Sequence, residues 1–313
     1  MSTVQQAPAW SVLVAVAVVL SGAVVAGSLD AVLDPRSRAT SLRLRVLRPA
    51  WEASRSLLTQ PRVTTAPDRL LWGIGVVSPL LVAVLMTMVV PLGTAVVADL
   101  GVGLVWFNAM DVLLWAGWWL AGWAPNSVHS LVGGYRFLAQ ALAYELPLMF
   151  ALTAPAVAAG SLSVPEIVAA QQDRWFVVEM PLAAVVFAGS VVAFSVWGPF
   201  AHPAGRDIAG GVLVEQSGPA RLLLRWGQYA LLVVGSAMTV ALFLGGGAGP
   251  LLPAWLWTVL KTAAVLLVLL AIRHRVPVWR PDRLMRAAWL FVLPLVLVQL
   301  LAVSVLAVTG AGS

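Results

Sequence analysis

Seventeen of the nineteen Lys and Arg residues in this chain fall in every second gap between its long apolar runs, and the alternate gaps hold almost none. The runs lie at roughly 9–32, 70–92, 100–122, 137–160, 177–197, 226–246, 254–272 and 287–309. Each is long enough to cross ~30 Å of hydrocarbon at about 1.5 Å per helical residue. Eight transmembrane helices are therefore expected, an all-α polytopic membrane protein. The first gap carries Arg36, Arg38, Arg43, Arg45, Arg48, Arg55, Arg62 and Arg69; the third Arg136; the fifth Arg206, Arg221 and Arg225; the seventh Arg273, Arg275, Arg280, Arg283 and Arg286. Only Arg174 lies in an opposite gap, and Lys261 lies inside a span. Basic loops stay in the cytoplasm, so the odd-numbered gaps are expected there and both termini outside, with the chain multi-pass in the cell membrane.

At 61% hydrophobic and 10% charged residues, the 313 residues read as one integral membrane domain over 1–313, with no room for a soluble one. The net charge of +6 is spread along membrane-flanking loops without a basic stripe, which argues against nucleic acid and for contact with anionic lipid headgroups. No Lys or Arg precedes the first run, so it reads as a retained span rather than a cleavable signal peptide. The chain has no cysteine, which excludes disulfides and thiolate-ligated iron–sulfur or zinc sites. His129, His202 and His274 lack ligand spacing and are expected to be solvated loop residues; no metal is expected. The fifteen Trp cluster near span ends, as at Trp115, Trp118, Trp119 and Trp123, where amphipathic rings anchor at the interface. Between spans one and two, Leu47, Trp51 and Leu58 recur at helical spacing beside Arg48 and Arg55. This predicts an interfacial amphipathic helix, with a loop helix packed on the bundle as the alternative.

An ionised group at mid-span costs at least ~2.5–3.5 kcal/mol, so it persists where it is paired, wetted or used. Asp111 midway along span three, Glu145 in span four and Lys261 in span seven meet that description. Spans three and four are joined by a short gap and are expected to be antiparallel neighbours, bringing Asp111 and Glu145 to similar depth, where they share protons or recruit Lys261. Arg136, Gln140 and Tyr144 are four residues apart and share a helix face with Glu145 beside them, and Pro147 follows within a turn. That polar face predicts a cavity. A structural ion pair is the bland reading of the three charges; proton relay is the sharper one. Asp99 and Glu179, near outer span ends, are expected to be solvated.

These residues sit in a longer ordered set. Ala98-Asp99-Leu100, Gly133-Gly134-Tyr135-Arg136 with Ala139-Gln140, Tyr144-Glu145-Leu146-Pro147, Gly160-Ser161-Leu162-Ser163 and Glu166-Ile167-Val168 are followed by Leu242-Phe243-Leu244-Gly245-Gly246. Arg283-Leu284-Met285-Arg286, Trp289 and Leu293-Pro294-Leu295 complete the set. The series resembles the ADLNIGLL, GGxRxxAQ, SYExP, GSLS and EIV segments of the H-subunit family of NADH-quinone oxidoreductase, the complex I subunit 1 family, from about residue 45 to 308. Lys261 falls where that family has a lysine in span seven.

The resemblance implies a non-autonomous subunit of a proton-translocating translocase. It would stand at the junction of a membrane arm with a peripheral electron-transfer arm, where quinone is a transient ligand and other subunits carry the iron–sulfur clusters. It implies proton coupling for Glu145, Asp111 and Lys261, and a quinone cavity or its mouth for Arg136, Gln140, Tyr144, Asp207 and Glu215. The partners implied are the other subunits of both arms and membrane lipid.

The chain departs from the family in the fifth gap, where AETNRAPFDLPEAESELV and an EYSG turn are expected. The first Glu position holds Phe194, the Arg position Trp197 and the Asp position Ala201; the acidic run is reduced to Asp207, before Glu215-Gln216-Ser217-Gly218. A GPNRxGP-like stretch is replaced by Arg36-Ser37-Arg38-Ala39-Thr40 and the residues after it. Because redox-linked proton uptake needs groups whose charge changes, the departures leave two alternatives open. One is a membrane anchor of a ferredoxin- or hydrogenase-linked complex that does not reduce quinone. The other is a scaffold without a redox role. A stand-alone secondary transporter is the reading from a different class, and the chain lacks the paired repeats such folds usually show.

Overall fold

The computed structural model describes residues 5–8, 10–35, 41–205 and 210–309. Arg36, Arg38, Arg206 and Asp207 lie outside the described residues. The structure is helical: α1 (Ser11–Leu33), α2 (Leu42–Leu58), α3 (Arg69–Thr87), α4 (Gly103–Trp123), α5 (Val128–Ala159), the short α6 (Val164–Ala169) and α7 (Phe176–Glu179), then α8 (Pro181–Phe194), α9 (Gly218–Phe243), α10 (Ala254–Arg275), α11 (Pro281–Ala287) and α12 (Leu293–Thr309). A π-helical turn, Ala288–Val292, joins the last two into one rod. A two-residue parallel strand pair, β1 (Gln5–Gln6) and β2 (Ala95–Val96), closes one end.

Seven of these helices are long and apolar enough to cross a membrane. The fifth expected span is the exception, and the count of eight full-length helices is corrected to seven plus a shorter one. In place of a span over 177–197, α8 has only 14 residues, roughly 21 Å at ~1.5 Å per residue. Pro181, which has no N–H, opens it, and Met180 before it is non-helical at φ −132°. Val196 just past its end sits at φ 50°, a conformation a β-branched residue rarely adopts. Helix ends at that depth need partners, since hydrocarbon offers none. Gln299 of α12 accepts from the Ala183 N–H at 2.6 Å, Gln140 donates to the Ala193 carbonyl at 2.8 Å, and Gln228 donates to the Val196 carbonyl at 2.9 Å. Three buried or half-buried glutamines thus take over the hydrogen bonds that a longer helix would have made itself.

The loops nonetheless alternate between the two ends of the bundle. Odd-numbered gaps bond to one another: the Arg62 N–H to Ser217 Oγ (2.6 Å), the Gly211 N–H to the His129 carbonyl (3.0 Å), the Trp279 N–H to the Pro199 carbonyl (2.7 Å). At the other end the even-numbered loops bond to one another or to the adjoining helix ends: the Leu104 N–H at the start of α4 to the Leu162 carbonyl (3.0 Å), the Gly245 N–H to Gln171 Oε1 (3.0 Å) and the Gly93 N–H to Thr258 Oγ1 in the first turns of α10 (3.2 Å). The first strand joins that second end through the Gln5 N–H and the Thr94 carbonyl (2.8 Å). The arginine-bearing loops therefore share one face of the bundle, as their alternation requires, and short as it is, α8 carries the chain back to that face.

Within hydrocarbon the hydrophobic effect does not draw helices together, so close backbone approach must. The central pairs are α3 with α4 and α9, and α4 with α5. At Gly75 a Cβ would strike the Ala121 backbone, within 2.8 Å of its Cα. Between the helices, Phe107, Phe187, Phe194 and Phe243 form an aromatic core, with Phe107 to Phe187 at 6.2 Å and Phe187 to Phe243 at 5.9 Å between centroids. Trp118, expected as an interfacial anchor, is fully buried and stacks on Phe137 at 5.6 Å. Its side of α4 faces α5, so packing overrides the interfacial preference; Trp123, a turn and a half on, is exposed.

The predicted amphipathic helix is α2. It lies against α1 and α9 through Arg45 and Pro49, with Arg45 Nε on the Ala31 carbonyl at 3.3 Å, while Leu44, Leu47, Trp51 and Leu58 are exposed along one stripe. Both readings of this segment hold at once: one face packs on the bundle and another remains apolar and outward.

Candidate functional site

The two carboxyl groups expected at matching depth do meet. Asn108 and Asp111 are three residues apart on α4 and so share a face, which lies against Tyr144 and Glu145 of α5. The Tyr144 hydroxyl donates to Asp111 Oδ1 at 3.3 Å, and Asn108 Nδ2 donates to Glu145 Oε1 at 3.2 Å. Asp111 is fully buried, Tyr144 nearly so, and Glu145 is half-buried. Both donors are neutral. Among the described residues neither carboxyl group forms an ion pair, and Asp111 Oδ2 and Glu145 Oε2 are buried without a hydrogen-bond partner. A pair of carboxyls held by neutral donors, each with a free oxygen, does not lock helices by charge.

Lys261 is not part of it. Its ammonium donates to the carbonyls of Leu244 (2.6 Å), Ala248 (2.7 Å) and Gly246 (3.1 Å), just past the end of α9, and lies 4.2 Å over the Trp175 ring. It satisfies carbonyls that the end of α9 leaves open, with a cation–π contact closing the site. Span seven presents its lysine to the even-numbered loops, so depth alone did not bring it to Asp111.

The face expected from Arg136, Gln140 and Tyr144 exists, and its members bond to protein groups. Arg136 donates to the Gly210 carbonyl at 2.7 Å, Gln140 to Ala193, Tyr144 to Asp111. Glu215 accepts from Ser127 Oγ at 2.6 Å. The Arg136 and Glu215 bonds tie the start of α5 to the loop between α8 and α9. Asp207 is outside the described residues. Asp99 accepts from Ser163 Oγ at 3.4 Å, and Glu179 pairs with Arg174 at 3.5 Å.

A cavity of about 730 Å³ lies elsewhere, at the arginine end between α1, α2, α9 and α10. At its inner wall is a cluster absent from the expected set. Asp30 is buried on α1, and its carboxylate takes Arg273 at 2.6 Å, His274 Nε2 at 3.0 Å and the Tyr229 hydroxyl at 3.0 Å. His274, expected to be solvated, is largely buried, because α10 continues past the apolar run to Arg275 and carries it against α1. Arg273 also lies 4.5 Å over the Trp197 ring. Asp30 lies in the last turn of α1, near the end of the first apolar run, and so was not singled out by a rule that looks for charge at mid-span. Replacing Asp30 with Asn strands Arg273 against that ring, and we expect a loss of about 2 kcal/mol, read as a lowered Tm of the purified protein in detergent; an unchanged Tm refutes the anchoring role.

Among the described residues no group of three or more His, Asp or Glu is placed to hold a metal ion. The family model described as NADH dehydrogenase matches residues 36–304. The chain is 34% identical over 269 residues to the H subunit of NADH-quinone oxidoreductase from Geobacillus kaustophilus, covering 84% of this chain and 81% of that one. It is 36% identical over 267 residues to the H subunit numbered 2 from Syntrophobacter fumaroxidans, covering 85% and 74%. Against the H subunit numbered 1 from Geobacter metallireducens it is 39% identical over 206 residues, 66% of this chain and 63% of that protein's length.

Proposed function

The chain belongs to the NADH dehydrogenase family that contains the H subunits of NADH-quinone oxidoreductase, and from that membership we propose that it is the membrane-arm subunit of a complex I-like assembly, coupling electron transfer in a peripheral arm to proton movement. The observation that carries the coupling role is the Asp111, Tyr144, Glu145 and Asn108 cluster. Both carboxyls belong to one cluster, so a proton held by one passes to the other when the field around them changes. Tyr144 orients Asp111, and Asn108 orients Glu145. The odd-numbered loops face the cytoplasm, by the positive-inside rule, and receive the peripheral arm. With no cysteine, the chain supplies no thiolate ligand for an iron–sulfur cluster.

A second reading, a membrane anchor for a complex that does not reduce quinone, is favoured by one feature. Where the family pattern has Glu and Arg, Phe194 and Trp197 are buried in apolar packing, Phe194 at 6.5 Å from Phe107 and Trp197 at 4.9 Å from Tyr229. A carboxyl that could change charge on quinone reduction, and an arginine, are replaced by apolar rings. Inverted vesicles carrying the intact assembly separate the readings when proton uptake and reduction of added quinone are followed together. Both signals support the quinone-linked junction, proton uptake without quinone reduction supports the anchor, and electron transfer with no proton uptake contradicts both.

A further inference from the structure

From Trp226 to Ile272 the chain carries one charged residue, Lys261, which is also its only lysine. α9, α10 and the turn between them, residues 244–253, thus form a hairpin whose outer turn, Leu-Gly-Gly-Gly-Ala-Gly-Pro-Leu-Leu-Pro, has no ionisable side chain. The carbonyls of that turn are held by protein. The Lys261 ammonium donates to those of Leu244 (2.6 Å), Gly246 (3.1 Å) and Ala248 (2.7 Å), and Trp257 Nε1 donates to that of Pro250 at 2.9 Å. Every second carbonyl from 244 to 250 is therefore taken by a side chain of α10, and the Gly245 carbonyl accepts from the Ala248 N–H at 2.9 Å. A tetrahedral ammonium with three N–H bonds suits three converging carbonyls, whereas a planar guanidinium fork suits a carboxylate. That difference accounts for a lysine here in a chain that otherwise uses arginine.

A turn standing in water has no need of such donors, because solvent supplies them; a turn immersed in a membrane must have them. Lys261 lies seven residues past Ala254, the start of α10, about 10 Å along the helix at ~1.5 Å per residue, and its side chain reaches back over that length to the turn. What the turn exposes is apolar. Leu251, at its tip, is fully exposed, and Leu252 and Trp255 are exposed beside it. Leu251 sits at φ 67°, in the left-handed region where glycine costs nothing, in a turn that already has four glycines. A fully exposed leucine at that position gains nothing from packing within the chain. One helical turn beyond Trp255 the patch continues through Val259, an exposed residue of a helix apolar enough to cross a membrane.

We propose that the turn 244–253 lies within the outer leaflet of the membrane, with Leu251, Leu252 and Trp255 against lipid acyl chains, and that Lys261 permits this by holding the carbonyls that hydrocarbon would leave open. The last two spans but one are then joined inside the bilayer, and the outer end of the bundle has a lipid-contact surface there in place of a water-facing loop. The ammonium itself is sheltered by rings, 4.2 Å from the centre of Trp175 and 5.8 Å from that of Trp257. The inference does not rest on the proton-coupling reading, because depth in the membrane is measured without turnover.

The test uses membranes that carry the intact assembly with its outer face open to reagent, the tagged chain being isolated afterwards for readout. The chain has no cysteine, so L251C, and D173C at an exposed position of the outer loop before α7, each give it a single thiol. D173C is expected to react readily with a charged, membrane-impermeant maleimide. L251C is expected to react at least about tenfold more slowly, since Leu252 and Trp255 must leave the acyl chains before the thiol meets water. Phosphatidylcholine bearing a diazirine on its acyl chain is expected to cross-link on illumination to the turn of the wild-type chain. K261M/L251C, in which the side chain keeps its length but donates nothing, is expected to react as fast as D173C. Slow maleimide labelling together with lipid cross-linking supports the proposal. Labelling of L251C as fast as D173C means that the turn stands in water and overturns it; protection from both reagents means that another subunit covers the turn and overturns it as well. The depth of the turn is read with Lys261 in place, so it is decided even where K261M fails to assemble, and an assembled K261M/L251C that stays protected removes Lys261 from the account.

Discussion

Glu145→Gln is expected to leave the assembly intact and its electron transfer measurable while coupled proton translocation falls by about a hundredfold, the scale on which a positioned proton donor or acceptor matters. The amide keeps the shape of the side chain, and its oxygen still accepts from Asn108 at the position that Glu145 Oε1 holds, 3.2 Å away. What it cannot do is release and regain a proton at neutral pH. Asp111→Asn removes the other half of the pair and should give the same loss. Tyr144→Phe removes only the hydroxyl that reaches Asp111 at 3.3 Å and should lower translocation more mildly. The measurement is quenching of a pH-sensitive dye in inverted vesicles, normalised to electron flux. Wild-type quenching in Glu145→Gln would remove the cluster from the mechanism.

Gly133→Val should have the largest effect on folding. At Gly133 the start of α5 lies against the backbone of the loop that follows α8, and a Cβ would meet Val212 N and fall 2.6 Å from Gly211 C and 2.7 Å from Gly211 Cα. Main chain cannot swing aside as a side-chain tip can, so the loop must be displaced. With it go the Arg136 bond to Gly210 and the Gly211 N–H bond to His129. Overpacking of this kind costs about 3 kcal/mol, and we expect the variant to be absent from the membrane assembly. Gly73→Ala, where a Cβ would meet nothing within 4 Å, should assemble normally. A normal yield of assembled Gly133→Val would show that the junction between α5 and this loop is not as tight as described.

Much of this architecture was legible because the alternating arginines report loop by loop which end of the bundle is wet. Helix ends were less legible. Hydropathy marks the stretch in hydrocarbon, whereas α5 and α9 begin nine and eight residues before their apolar runs, at Val128 and Gly218. Nothing in composition announced that the fifth span breaks at Met180 and Val196, since its repair depends on glutamines from three other helices. At the site, Asp111 and Glu145 were legible as acids in apolar runs joined by a short loop. Lys261 turns to the other side from the carboxyl pair, because the direction in which a helix presents a side chain is set by its neighbours. Asp30 was missed because it lies at the end of its apolar run rather than at mid-span, and its partners Arg273 and His274 lie more than two hundred residues away in sequence.

The coupling role of the buried carboxyls requires membership of a larger assembly, and a mild-detergent pull-down of the tagged chain from its native membranes, with mass spectrometry of the proteins that copurify, tests that directly. Recovery with cluster-bearing peripheral subunits and antiporter-like membrane subunits is the predicted result. Recovery of the chain alone, as a stable monomer or homo-oligomer, would contradict it and return the buried carboxyl pair to a stand-alone transporter.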